Sequence, residues 1–451
     1  MRSVVGGRTV LAAGDARAGA DVDVEFVEQC VSTEVNLLAR YFDSGPKITI
    51  APRVFVQIRL PMDRDDFDET APGEIVPTTT SKGTYSAFRP NPLPPSVSTD
   101  RLITPLAEAT QALGRLHGIG PRVGSREILI EPFIRKEALE SSQIEGTHAT
   151  LSDIYAYEAG QEALIDDDRR QGTQEVVNYL HALTHGLGAI TAGDPITIEL
   201  LCEMHHRLLS GVRGNEADPG ELRTTQNFVG STPYIQDARY VPPPPNDIAD
   251  LLSNLLEYAA QDTDLHPLLR IGLIHYQFET IHPFLDGNGR LGRLLISLLL
   301  QRDGLLPEPY LYLSSYFNAR RSEYVDHLLA VSQRGEWENW LLFFLRGVQS
   351  QADEAHQRAN LLVDLREDYQ QRYQSERSAN ILELVMRLFE EPYLDVNTAS
   401  EWLNTEYSTA NRLVGRLEDD GILEELTGKD RNRFYRAGEV FEIINKPLAQ
   451  L

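Results

Sequence analysis

Twelve consecutive residues, His282-Pro283-Phe284-Leu285-Asp286-Gly287-Asn288-Gly289-Arg290-Leu291-Gly292-Arg293, gather the groups that handling a phosphate requires. Gly287-Asn288-Gly289 can take positive φ angles and turn successive N–H groups inward as an anion nest. The nest opens a helix, whose N-terminal dipole also favours phosphate. Arg290 and Arg293 are three apart and project to one side of the first turn. Two cations there work against the dipole and call for an anionic partner. Paired guanidiniums beside an N–H nest suit a polyphosphate. Asp286 is an oxygen donor placed for Mg²⁺ among those phosphates. His282, with a pKa near neutrality, suits proton removal from a hydroxyl nucleophile. Phe284 is expected to anchor the loop in the core. No Gly-Lys-Ser/Thr follows a strand, which excludes a P-loop. His275, Glu279 and His282 lack the His-Glu-x-x-His order of a zinc site.

These residues need rigid elements on both sides. Apolar spacing predicts a helix over Leu268–Ile281 running into the motif and another over Leu291–Arg302 running out. Further helices are predicted after Leu102 (through Leu106, Ala109, Leu113 and Leu116) and over Val176–Leu187, Ile196–Leu209 and Ile248–Ala260. With strand-like alternation scarce, the expected fold is mainly α, a helical bundle. Upstream, Phe88–Pro95 reads as an extended, proline-fixed strap, and Asp63–Glu69 and Pro77–Gly83 as loops. Downstream, Gln349–Gln374 reads as a polar helical connector. Three short helices (Ile381–Phe389, Val396–Asn404, Thr409–Asp419) and a strand pair (Leu423–Leu426, Phe434–Arg436) across Gly428-Lys429-Asp430 then give the pattern of a winged helix-turn-helix. In residues 1–82 a helix over Asp21–Phe42 and a strand over Arg53–Leu60 are predicted, with no chemistry assigned.

Composition narrows the function classes. The 451 residues are 41% hydrophobic and 24% charged, enough for two or three folded units. No apolar run approaches the roughly 18–20 residues of a membrane span. Gly, Arg and Asp break up Met1–Ala20, which therefore does not read as a secretion signal. Cys30 and Cys202 stand far apart without metal-site partners, and a reducing, cytoplasmic setting is expected. The net charge is −25, and only five of the 42 basic residues are lysines. Such a surface repels nucleic acid except at local basic patches. High acidity with scarce lysine also fits a salt-rich habitat or simple solubility.

The motif resembles the Fic signature HxFx(D/E)GNGRxxR at every fixed position. The family implies an all-α core that transfers AMP from ATP to a Tyr, Thr or Ser hydroxyl of a protein, itself included, releasing pyrophosphate. By that resemblance His282 is the general base and Asp286 holds Mg²⁺. The backbone of Gly287, Asn288 and Gly289 cradles phosphates, with Arg290, Leu291, Gly292 and Arg293 completing the ATP site. Ser141-Ser142-Gln143-Ile144-Glu145-Gly146 resembles the inhibitory motif (S/T)xxxE(G/N). Ser141 and Glu145 are i, i+4 on one helix face and Gly146 is a helix stop, so Glu145 can pair with an arginine of the phosphate site. Asp237-Ala238-Arg239-Tyr240 resembles the small β flap that positions the target by strand addition. Arg321-Ser322-Glu323-Tyr324 resembles the helix lining the adenine pocket, with Tyr324 as the candidate and Val325 in place of a second Tyr.

The resulting expectation is an ATP- and Mg²⁺-using nucleotidyltransferase. Its divisions are an N-terminal region (1–84), a helical region with the inhibitory helix (85–195), a catalytic core (196–348), a connector (349–375) and a winged-helix domain (376–451). The last is expected to recruit protein or to form a homodimer. DNA binding through Arg412 and Arg416 and the wing residues Lys429, Arg431, Arg433 and Arg436 is the rival. It is disfavoured by ten acidic against six basic residues over 395–440. Removal of AMP, with Glu145 positioning a water, is the other alternative.

Overall fold

The computed structural model describes residues 2–5, 8–11, 62–81, 83–119, 127–230, 232–374, 379–429 and 431–450. The helix expected over Asp21–Phe42, the strand over Arg53–Leu60 and Cys30 lie outside them. Contacts divide the chain at Pro61. In the first unit β1 (Arg2–Val5) pairs antiparallel with β2 (Arg8–Leu11), Arg2 opposite Leu11.

The second unit, Met62–Leu451, is mainly helical. It opens with a hairpin of β3 (Gly73–Thr80) and β4 (Gly83–Pro90), antiparallel with Ile75 opposite Phe88. Pro77–Gly83, expected as loop, is thus mostly strand and turn. Pro77 is tolerated because a two-stranded hairpin is all edge, and Thr78, Thr79 and Thr80 are β-branched residues that favour the pleated conformation. The strap over Phe88–Pro95 likewise starts inside β4. The hairpin packs beside the 228–241 segment, where Ala87, Ile235, Ala238 and Val241 form a small core of their own.

The bundle follows: α1 (Ile103–His117), α2 (Glu127–Ile144), α3 (Leu151–Glu158), α4 (Arg170–Ala192), α5 (Ile198–Leu209), α6 (Ile248–Ala260), α7 (Pro267–Ile281), α8 (Asn288–Arg302), α9 (Ser314–Ala319), α10 (Arg321–Arg334) and α11 (Trp337–Tyr373). Their starts carry readable signals. Thr150 caps α3 in a capping box with Asp153, Thr197 caps α5, and Pro267 is the first residue of α7. Helix α7 is buried nearly all round, as expected of the central helix of a bundle. Trp340 on α11 locks to it through Nε1–H to the Gly272 carbonyl, 2.9 Å.

Helix α11 runs unbroken for 37 residues, so the expected connector over Gln349–Gln374 is not a separate element. Ala352, Ala355, Ala359, Leu362 and Val363 are buried on it, a narrow apolar stripe that a high polar content masks. The C-terminal elements are α12 (Ala379–Arg387), β5 (Tyr393–Asp395), α13 (Val396–Trp402), α14 (Tyr407–Asp419), β6 (Leu423–Glu425), β7 (Phe434–Ala437) and α15 (Gly438–Asn445), with sheet order β5-β7-β6. Three helices and the β6–β7 pair fall close to the stretches expected to form them; β5 and α15 are additional. These elements pack on the bundle. Tyr393 stacks on Tyr155 with ring centroids 4.9 Å apart, and its hydroxyl lies 2.8 Å from Ser152 Oγ. Among the described residues no helix is long and apolar enough to cross a membrane.

Candidate active site

The loop between α7 and α8 is fixed from beneath before any ligand is considered. His282 ends α7 in the left-handed region (φ 50, ψ 60), a strained conformation for a non-glycine residue and a hint of function. Its carbonyl accepts from Arg223 Nε (2.8 Å) and Asn227 Nδ2 (3.3 Å). Phe284 is fully buried and stacks on His205 with centroids 3.9 Å apart. His205 Nδ1 accepts from Gly220 N (2.9 Å), so its Nε2–H is the donor to the Asp286 carbonyl, 2.9 Å away. Asn288 closes the loop reciprocally: Oδ1 accepts from Phe284 N and Nδ2 donates to Phe284 O, both at 2.8 Å. Its side chain is committed to the loop, and only its backbone faces a ligand. Asn288→Ala should therefore leave Phe284 N–H unsatisfied in the core and cost about 1–3 kcal/mol. A thermal melt of the nucleotide-free protein reads that loss; an unchanged Tm would mean the loop closes without this pair.

Above this base stand the groups that face a ligand. His282 Nδ1 lies 3.2 Å from the Glu279 carbonyl and donates to it, which leaves Nε2 as the basic nitrogen. Burial pushes its pKa down to about 4, with the neighbouring Glu279 carbonyl acting in the opposite sense, so the ring is neutral at pH 7. Gly287, at φ 78, is the N-cap of α8. Its N–H turns to Asp286 Oδ1 at 2.6 Å. The first N–H groups of α8 proper, from Asn288 to Arg290, lack carbonyls one turn earlier in the helix. Leu291 is buried in the core and its N–H bonds Gly287 O at 3.0 Å. Expected at the ATP site, it offers a ligand nothing.

The two arginines are 1% and 2% exposed and face different partners. Arg293 donates Nε to Ser141 Oγ (2.8 Å) and Nη2 to Ser141 O (2.9 Å) and to Glu145 Oε1 (2.7 Å). Burial opposes its charge, yet Glu145 above all holds its pKa above the ordinary arginine value. Arg290 lies 3.7 Å from Asp286 and 4.0 Å from Glu175, and its Nε and Nη1 are buried without a hydrogen-bond partner. Unspent donors on a buried guanidinium next to a helix N-terminus are what an incoming anion would use.

Glu145 sits one residue beyond α2, and Gly146 follows at φ 83. Burial would raise its pKa, but Arg293 outweighs that and holds the carboxyl below its ordinary value. The turn is gripped from two sides. Arg321 Nε donates to Ile144 O (2.7 Å) and Arg213 Nη2 to Glu145 O (3.3 Å), both carbonyls at the negative end of α2. The Glu145 carboxylate lies against the first turn of α8, since a Cβ on Gly289 would collide with its Oε1.

Glu145, Gly289, His282 and Arg293 line one cavity of about 180 Å³, shared with Ile144, Val229, Arg239, Tyr240, Glu279, Tyr324, Val325 and Leu328. Tyr324 is buried, stacks on Phe317 at 4.5 Å and holds its hydroxyl 2.8 Å from His275 Nε2, while His275 Nδ1 lies 3.1 Å from Gly292 O. In the expected flap only Val229 and Tyr240 form a β-bridge. Asp237 ends a short turn with Oδ2 taking Thr232 Oγ1–H, Ala238 is buried, Arg239 pairs with Asp326, and Tyr240 anchors to Thr280 O at 2.9 Å. Asp286 is 44% exposed. With Oδ1 on Gly287 N–H and Oδ2 beside the Cα of Gly214, this part-exposed single carboxylate fits Mg²⁺, which keeps waters and substrate phosphates in its shell. Among the described residues no group of three or more His, Cys, Asp or Glu could hold a metal by itself.

Residues 103–188 match the Fic/DOC family N-terminal profile, and residues 195–300 match the Fic/DOC family profile. A protein adenylyltransferase Fic from Drosophila grimshawi is 30% identical over 210 residues, 46% of this chain and 41% of the relative. Another, from Drosophila willistoni, is 39% identical over 114 residues, 25% and 21% of the two chains. The chain thus spans less than half the length of these relatives. A Fic family protein from Desulfovibrio desulfuricans G20, known from its crystal structure, shares the fold at TM-score 0.50 and 22% identity, over 76% of this chain and 98% of that one. The chain thus carries both Fic/DOC family profiles, over residues 103–188 and 195–300, and the fold of a Fic family protein.

Proposed function

We propose that this protein is an adenylyltransferase that moves AMP from ATP to a Tyr, Thr or Ser hydroxyl of a protein, itself among the targets. The observation that carries this is one cavity joining a neutral histidine with a free Nε2 to the first turn of α8 at Gly289 and the buried Arg293, with Arg290 buried on the same helix. The triphosphate lies over Asn288–Arg290, and Arg290 and Arg293 offset the charge of the β- and γ-phosphates. Asp286 would hold Mg²⁺ brought in with the phosphates, and that ion supplies further charge neutralisation. His282 Nε2 takes the proton of the target hydroxyl as its oxygen attacks the α-phosphorus. A new P–O ester bond forms, the bond to the bridging oxygen breaks, and pyrophosphate leaves. The segment around Arg239 and Tyr240 positions the target chain, and the apolar end of the cavity beside Tyr324 takes the adenine.

The same reading gives Glu145 an inhibitory function, because its carboxylate takes the Arg293 contact that the γ-phosphate requires. The C-terminal elements then bind protein rather than DNA. Of the basic residues on the expected recognition helix and wing, Arg416, Arg433 and Arg436 are paired with Asp420, Glu418 and Glu424 of the same C-terminal region, which dulls a basic footprint.

The test is incubation of the full chain with Mg·ATP and a cell lysate, using α- or γ-labelled nucleotide in parallel. Labelled protein bands are expected from the α-label only. Label from the γ-position alone would make the protein a kinase and end this reading.

A further inference from the structure

One group in the cavity has no task in this scheme. Glu279 lies on α7 one turn before His282, so both face the same space. Its Oε1 is buried without a hydrogen-bond partner. The carboxyl is wedged against the bare Cα of Gly292, where any Cβ would collide with Oε1. Arg293 attracts it without bonding it, since its Nε and Nη2 donors go to Ser141 and Glu145. The cavity that Glu279 lines joins the groups assigned to phosphate, Gly289 and Arg293, to the apolar side chains of Ile144, Val325 and Leu328 and the ring of Tyr324. A nucleotide spanning the two passes its base along this carboxyl.

We infer that the Glu279 carboxyl reads the edge of the purine base and sets the preference for adenine over guanine, an inference that rests on the ATP reading above. The charged and titratable groups around it are His275 and His282 on α7, Arg293 on α8, Glu145 after α2, Arg321 and Tyr324 on α10, and Arg239 and Tyr240 across the cavity. Burial dominates over the attraction of Arg293, Glu145 adds repulsion, and the pKa is pushed up to about 7. Below that pH the neutral carboxyl sets one donor beside one acceptor. This matches an adenine edge, an amino donor beside a ring-nitrogen acceptor. Above it, the carboxylate sets out two acceptors. It then suits the two adjacent N–H donors of guanine and repels the adenine ring nitrogen. With Glu145 on Arg293, or a γ-phosphate in its place, Arg293 keeps an anionic partner, so the balance at Glu279 is retained.

The measurement is the affinity of the full chain for Mg·ATP and Mg·GTP at pH 6 and pH 8. The preference for ATP should fall about tenfold across that interval, the worth of one polar contact. Glu279→Gln, whose amide carries a donor and an acceptor at every pH, should keep the pH 6 preference at both values. Glu279→Ala should lose most of it while still binding both nucleotides. Equal pH dependence in wild type and Glu279→Gln, or an unchanged preference in Glu279→Ala, would overturn the inference and leave the ATP reading standing. Failure of wild type to bind either nucleotide would overturn both.

Discussion

Glu145→Gly is expected to raise AMP transfer on the order of a hundredfold, the usual scale of restoring a misaligned substrate to attack geometry. In the wild type Arg293 is held by Glu145 at 2.7 Å, and the expected rise assumes that ATP then binds with its γ-phosphate displaced and its α-phosphorus off the line from the target hydroxyl. Breaking a buried pair by removing one partner costs about 3–5 kcal/mol in general. Here the loss is smaller. Glu145 is 34% exposed and screened by solvent, and Ser141 keeps two bonds to Arg293. The Tm with ATP present should therefore move little. Arg293→Ala should lower transfer even in the Glu145→Gly background, because the guanidinium then serves only the nucleotide. Labelling rates with α-labelled ATP across several lysates decide the matter. If Glu145→Gly is no faster than wild type, self-inhibition is wrong, and Glu145 becomes a candidate for positioning water in AMP removal.

His282→Ala is expected to lower transfer by about 10²–10⁴, the contribution of a general base, without loss of fold. The loop around His282 is held through backbone groups. Arg223 and Asn227 bond its carbonyl, and its amide bonds Phe278 O at 3.0 Å. Truncating the ring leaves these in place. ATP affinity should stay within a few-fold, since the ring reaches the target and not the phosphates. The clearest reading comes in the Glu145→Gly background, where the starting rate is high. Transfer surviving in His282→Ala within tenfold of its parent would assign the base elsewhere.

Much of this could be read from residue order, and the remainder has physical reasons for being hidden. The helices α6, α7 and α8 announce themselves by apolar spacing, and the motif between them by a density of Gly, Asp, His and Arg. Yet α8 begins at Asn288, three residues before the predicted Leu291. Gly289 and Gly292, poor helix formers, obscure its first turn. The approach of Glu145 to Arg293 was suggested only by resemblance, since the two stand 148 positions apart. His205, Arg223 and Glu175 left no trace at all. Arg223 is buried among carbonyls with no carboxylate partner, bonding His282 O, Pro243 O and Thr225 O, and burial lowers its pKa to about 10. No spacing rule marks an arginine that braces a loop from sixty residues away. Glu279 stood inside the motif's own helix, and only its unpartnered oxygen distinguishes it.

The two arginines that hold the end of α2 give the blocking device a particular character. Arg321 and Arg213 grip the carbonyls of Ile144 and Glu145, and Arg293 grips Ser141, so the backbone is clamped on three sides. The Glu145 carboxylate is the loose end, beyond the last helical residue. Clearing the first turn of α8 then requires a rotation about side-chain bonds, with no helix to unwind and no domain to swing. Under the proposed inhibition, two anions contending for one guanidinium would make a graded valve, whose setting follows the supply of nucleotide rather than a change of shape.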